Sequence, residues 1–154
     1  MAKNVEGILR EAIEGEIDSH RLYTRAAEMV QAPQVRQTLL QLAQEELGHR
    51  AALEKMLANP GHLRYKVREL RAAPVTDYGI GDHLVAQPLG PDATFQDVCI
   101  FASKKEQASY LMYQHLAEQT GGEVRGLFEA MAKDEMRHKN LVEGWYEEVI
   151  YQEF

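Results

Sequence analysis

Apolar positions recur at alternating intervals of four and three over four long stretches of the chain. The first reads Leu9, Ile13, Glu16, His20, Tyr23, Ala27, Val30. That spacing marks one buried stripe of a bundle helix. It is apolar except at its centre, where Glu16 and His20 intrude. It predicts a helix from about Asn4 to Gln31, ending before Pro33. A second helix is predicted from Gln34 to Ala58, with Leu39, Leu42, Ala43, Glu46, His49, Leu53 and Met56 inward, closed by Asn59-Pro60-Gly61. Over residues 61–92 the pattern fades among prolines and glycines. So long a connection suits a crossover along a bundle, and a helical turn fits near Lys66–Arg71. A third helix is predicted from Thr94 to Thr120, with the stripe Cys99, Ser103, Glu106, Tyr110, Tyr113, Ala117. Gly121-Gly122 breaks it. The fourth runs from Glu123 to Ile150 with Leu127, Phe128, Met131, Glu135, His138, Leu141, Val142 and Trp145 inward.

The two halves match. Moved by 90 positions, Glu16, Tyr23, Ala27 and Glu28 fall on Glu106, Tyr113, Ala117 and Glu118. Moved by 89, Val35, Arg36, Ala43, Glu46 and His49 fall on Val124, Arg125, Ala132, Glu135 and His138. An internal repeat outranks local readings, and this one is a helix hairpin used twice. The expected fold is all-α: a four-helix bundle, one domain over residues 1–154, with hairpin one at 4–58, a crossover at 61–92 and hairpin two at 94–150.

The repeat carries chemistry. EELGH (Glu45–His49) and DEMRH (Asp134–His138) each contain Glu-x-x-His. Chance supplies about one such pair in a chain of this composition, so the motif gains its meaning from its context. Residues three apart on a helix project from one face and can reach one ion. Glu16 and Glu106 lie on the inward stripes of the other two helices. Four carboxylates and two imidazoles would then meet at the bundle's midpoint. Stripping one unpaired carboxylate of water costs several kcal/mol, and these stripes offer no Lys or Arg. Two divalent cations resolve the conflict, because four carboxylates balance four positive charges. Oxygen-rich ligation with one imidazole per metal suits iron, or manganese, better than copper. This ligand set resembles that of ferritin-like di-iron and di-manganese bundles. The expected metal ligands are Glu16, Glu46, His49, Glu106, Glu135 and His138, with Glu46 and Glu135 as bridges.

Composition narrows the rest. With 45% hydrophobic and 27% charged residues, the chain reads as soluble and globular. A net charge of −7 argues against a nucleic-acid surface. No signal peptide or membrane span is apparent, so a cytoplasmic location is expected. One cysteine, Cys99, excludes an internal disulfide and a Cys-ligated metal site.

On Glu16-Tyr23-Glu46-His49 and Glu106-Tyr113-Glu135-His138 the chain resembles the rubrerythrin family within the ferritin-like superfamily. The likeness covers roughly residues 5–58 and 94–150. It implies two irons in a non-haem centre that reacts with hydrogen peroxide or dioxygen, peroxide reduction being the commonest family activity. It implies a homodimer in some arrangement, with helix exchange through 61–92 possible. Rubrerythrins proper carry a rubredoxin domain with paired cysteines; here an external donor such as a rubredoxin-like protein is expected. Peroxide-reducing members often hold an extra glutamate three residues after the third-helix ligand, where this chain has Ser109, matched by Ser19. Ferrous iron oxidation, or metal binding without catalysis, are the alternative functions.

Tyr23 and Tyr113 lie two turns beyond Glu16 and Glu106 and are expected to hydrogen-bond a ligand carboxylate. His20 reads as a satisfied core histidine, with a donor role near the metals as the alternative. Glu45 and Asp134 each precede a histidine by four residues and could accept its outer N–H. His62, His83 and His115 show no convergence, Cys99 reads as a small core residue, and WYEEVIYQEF (Trp145–Phe154) as core or dimer surface.

Overall fold

The computed structural model describes residues 5–58, 77, 79 and 87–152. The turn expected at Lys66–Arg71, most of the 61–92 connection, His62 and His83 lie outside the described residues. Among the described residues four helices carry the fold: α1 (Val5–Met29), α2 (Pro33–Ala58), α3 (Phe95–Glu118) and α4 (Gly122–Gln152).

Their ends follow from local chemistry. Helix α1 stops short of Gln31 because Arg36 reaches back to its last carbonyls, donating to Val30 O at 2.6 Å and Ala27 O at 3.3 Å. A cation there satisfies orphan acceptors and the helix dipole together. Pro33 does not merely bar α1; it is the first residue of α2, where a missing N–H costs nothing. Thr94 and Asp97 form a reciprocal capping box at the start of α3 (Asp97 N–H to Thr94 Oγ1 3.1 Å, Thr94 N–H to Asp97 Oδ2 2.9 Å). Gly122 takes φ 58, a left-handed value that turns the chain from α3 into α4 at no steric cost.

Helices α1 and α2 pack as one hairpin, α3 and α4 as another, and α1 against α3 joins them. Two apolar layers result. One holds Leu9 and Ala12 of α1, Leu53 and Met56 of α2, Leu116 of α3 and Phe128 of α4. The other holds Ala26, Leu39, Val98 and Val142 from the opposite helix ends. The beginning of α1 therefore lies beside the end of α3, and α2 and α3 run in the same direction. The chain between them must travel the length of the bundle. The six charged stripe residues fall between the two layers.

A buried ion pair shows where that connection passes. Lys139 and Glu143 are 1% and 2% exposed, yet their repeat counterparts Arg50 and Glu54 have side chains 42% and 50% exposed. Lys139 Nζ lies 2.8 Å from both Glu143 Oε1 and Asp77 Oδ1. Asp77 belongs to the connection and meets α4 at this lysine. Removing one member of a buried pair strands the other. Lys139→Ala should cost about 3–5 kcal/mol in urea denaturation, and Lys139→Met with Glu143→Leu should restore most of it. A loss below about 1 kcal/mol would show that the pair behaves as an exposed bridge.

Candidate metal centre

Each helix sends its midpoint polar residues inward. Glu16 comes from α1, Glu106 from α3, Glu46 and His49 from α2, Glu135 and His138 from α4, and all six are buried. Ligand atoms of Glu16, Glu46, His49 and Glu135 lie within 4.8 Å of one another, as do those of Glu46, Glu106, Glu135 and His138. The two groups share Glu46 and Glu135. Those two carboxylates stand centrally, and Glu16 and Glu106 stand outside them.

His49 Nδ1 lies 2.9 Å from Glu135 Oε1, and His138 Nδ1 3.0 Å from Glu46 Oε1. Neither contact has hydrogen-bond geometry. Both Nδ1 atoms, both oxygens of Glu46 and of Glu135, and one oxygen each of Glu16 and Glu106 have no hydrogen-bond partner. Buried polar atoms are ordinarily bonded. Here eight of them converge as donors of lone pairs, a demand that cations would meet. The residues present fit metal ions.

The electrostatics agree. Burial, then repulsion from Glu106, pushes the Glu46 carboxyl up to about 8 against the pull of His138. Burial, Glu106 and Glu46 raise Glu135 well above the usual carboxylate range. Burial alone would lower both imidazoles, but the carboxylates around them hold His49 and His138 well above 6.5. Burial opposes ionisation of Glu106, but its contacts with Glu135, His138 and Tyr23 bring it below the usual value. The site holds more charge than a dry interior accepts, and without cations it must hold protons.

The tyrosines close the centre above and below. Tyr23 on α1 donates to Glu106 Oε1 on α3 at 2.5 Å, and Tyr113 on α3 donates to Glu16 Oε1 on α1. Each phenol thus bonds the carboxylate of the other hairpin, not the one two turns behind it. Burial and the nearby glutamates raise both phenols well above 10, which keeps them protonated donors. Tyr23 sits edge-on to His138 (centroids 6.1 Å) and Tyr113 edge-on to His49 (6.3 Å). Tyr113→Phe should weaken cation binding on the Glu16–His49 side by about 10–100-fold, the usual effect of losing such a partner. Titration of the variant with a divalent metal checks this, and an unchanged affinity would make the phenol a packing group.

The same exchange occurs outside the imidazoles. Glu45 and Asp134 do not serve the histidines four residues beyond them. Asp134 Oδ2 lies 2.9 Å from His49 Nε2, and Glu45 Oε2 lies 3.3 Å from His138 Nε2, both across the α2–α4 seam. Arg137 lies over that seam, bonded to Glu45 Oε1 and 3.8 Å from Asp134 Oδ1. Sequence reasoning passed over Arg137, although it breaks the repeat by facing Gly48 in the alignment. His20 joins neither group; its Nδ1 lies 3.1 Å from Ala43 O. His115 is exposed. Cys99 is buried, and burial pushes its thiol up to about 12.

Four helices, two repeated hairpins and a dry cluster of carboxylates and imidazoles able to hold metal define a ferritin-like bundle. The rubrerythrin family model matches residues 7–76 and 100–153, and the chain belongs to the rubrerythrin family. It is similar in fold to the solved structure of a hypothetical protein from Pyrococcus furiosus, with a TM-score of 0.69 and 21% identity over 97% of this chain and 92% of that one. No curated protein matches the sequence at a significant level. Among the described residues, no helix is long and apolar enough to cross a membrane.

Proposed function

We propose that the centre holds two iron ions, with Glu46 and Glu135 between them, Glu16 and His49 completing one side, and Glu106 and His138 the other. Manganese or a mixed pair fits the same donors. The chain would act as an oxidoreductase that reduces hydrogen peroxide or dioxygen with electrons from an external donor such as a rubredoxin-like protein. The convergence of orphaned buried oxygen and nitrogen atoms carries this reading. Bound iron would supply two one-electron couples, enough for peroxide with two protons and two electrons to give two waters. The chain's own residues contribute in other ways. Tyr23 and Tyr113 orient the outer carboxylates. The apolar layers on either side exclude water from the reacting volume.

The test is anaerobic loading of the full chain with ferrous iron, metal counting, and stopped-flow mixing with peroxide or oxygen. Two irons per chain, oxidised on mixing and re-reduced over repeated cycles by a reduced donor protein, is the expected result. Oxidation once, with release of ferric mineral, would make this an iron-handling protein. A stoichiometry of zero or one would reject the di-iron reading.

A further inference from the structure

The repeat builds two closely matched halves, and beside the imidazoles Arg137 stands without a counterpart. Glu16 answers Glu106, Glu46 answers Glu135, His49 answers His138, Glu45 answers Asp134 and Tyr23 answers Tyr113. Arg137 answers Gly48, which has no side chain. Arg137 is bonded to Glu45 Oε1 but stands 3.8 Å from Asp134 Oδ1. The consequence appears at the outer nitrogens of the imidazoles. His49 Nε2 has its hydrogen bond to Asp134 Oδ2 at 2.9 Å. His138 Nε2, on a fully buried ring, stands 3.3 Å from Glu45 Oε2 and has no hydrogen-bond partner.

We infer that Arg137 makes the two halves unequal: it draws Glu45 off His138 while Asp134 stays on His49, so the His49 half binds its cation more tightly. This rests on the reading that the centre holds two cations. A carboxylate on the outer N–H of a metal-binding imidazole fixes the tautomer, frees Nδ1 to donate, and raises the ring's basicity. A carboxylate already committed to a guanidinium accepts less well from a third group. Arg137 acts through Glu45, so it is a positioning residue. Its charge also repels cations, but that acts on both halves and leaves their ratio nearly unchanged.

The ratio is therefore the measurement. Metal-free full chain is titrated with Co2+, read by calorimetry and by the visible absorption of the bound ion. The wild type should bind two Co2+ with constants about tenfold or more apart, the scale of such an outer partner. Arg137→Ala should close the gap to within about threefold, and Arg137→Lys should keep most of it. In the Arg137→Ala background, Glu45→Gln should reopen a gap of about tenfold. The mirror variant, Gly48→Arg, has room, since a Cβ there meets nothing within 4 Å; it should lower the tighter constant. Equal constants in wild type, or a gap that Arg137→Ala leaves intact, would overturn the inference and leave the two-cation reading standing. Binding of fewer than two Co2+ by wild type would sink both.

Discussion

Glu46→Ala should strip the centre of both cations, whereas Glu106→Ala should remove one. The difference follows from sharing. Glu46 and Glu135 belong to both groups of converging ligand atoms, while Glu16 and Glu106 belong to one each. Losing an outer glutamate leaves a neighbouring half with its imidazole and both central carboxylates. Losing a central glutamate takes a ligand from each half and removes the one negative charge that sits between two dications, which then repel at short range. Metal counting after loading and desalting should give values near zero for Glu46→Ala and near one for Glu106→Ala. The metal-free variants should invert the order of harm. Both Glu46 oxygens are buried without hydrogen-bond partners, so deleting that carboxylate relieves a desolvation cost on the order of several kcal/mol. Metal-free Glu46→Ala should therefore melt no lower than metal-free wild type. Retention of two cations by Glu46→Ala would show that Glu46 is not shared.

Much of this architecture was legible because bundle interiors repeat at the helical period. Polar residues that keep that period stand out against the apolar stripe, which is how Glu16, Glu46, His49, Glu106, Glu135 and His138 could be picked out before any fold was known. Periodicity tells which face a residue occupies and not which neighbour it meets. Tyr23, Tyr113 and Asp134 each lie near a candidate ligand on their own helix, yet each bonds a ligand on another helix, and Glu45 accepts from Arg137 on α4. That exchange depends on how α1 meets α3 and α2 meets α4, which spacing alone does not contain. Lys139 was hidden for a related reason. It follows His138 by one residue, about 100° around the helix, and reads as a solvated flank. It is buried against Glu143 and Asp77, and Asp77 lies far away in sequence. The end of α1 and the start of α2 differ from the expected bounds by a residue or two because Arg36 and Pro33 set them, and neither is part of the stripe.

Loading the centre should expel at least two protons per chain, and the metal-free protein should lose stability as pH rises. The groups concerned are Glu46, Glu135, His49 and His138. Glu46 is raised to about 8 from an ordinary 4.5, and Glu135 is raised well above it. Both imidazoles are raised well above 6.5. A raised group holds its proton in the folded chain after the unfolded chain has released it. Its contribution is complete below the unfolded pKa and lost as pH climbs through the folded one. For Glu46 that window runs from about 4.5 to about 8, and for the imidazoles it opens at 6.5. Glu45, lowered to about 2, and Glu106, also lowered, act oppositely: their contribution is present above 4.5 and lost as pH falls. Metal-free protein should therefore be most stable in mild acid and should weaken by several kcal/mol towards pH 8, each unit of difference being worth about 1.4 kcal/mol. Two dications bring four positive charges into the volume those protons occupied, and metal ligands must be bare to bind. Loading releases protons, so the stabilisation on loading should grow with pH. Calorimetric titration with Mn2+ near pH 6.5, in two buffers of different ionisation enthalpy, counts the protons. Melting curves at pH 5.5 and 8, with and without metal, follow the stability. Release of fewer than two protons, or metal-free melting temperatures that rise over that interval, would mean that the buried carboxylates are already ionised and that something other than protons offsets their charge.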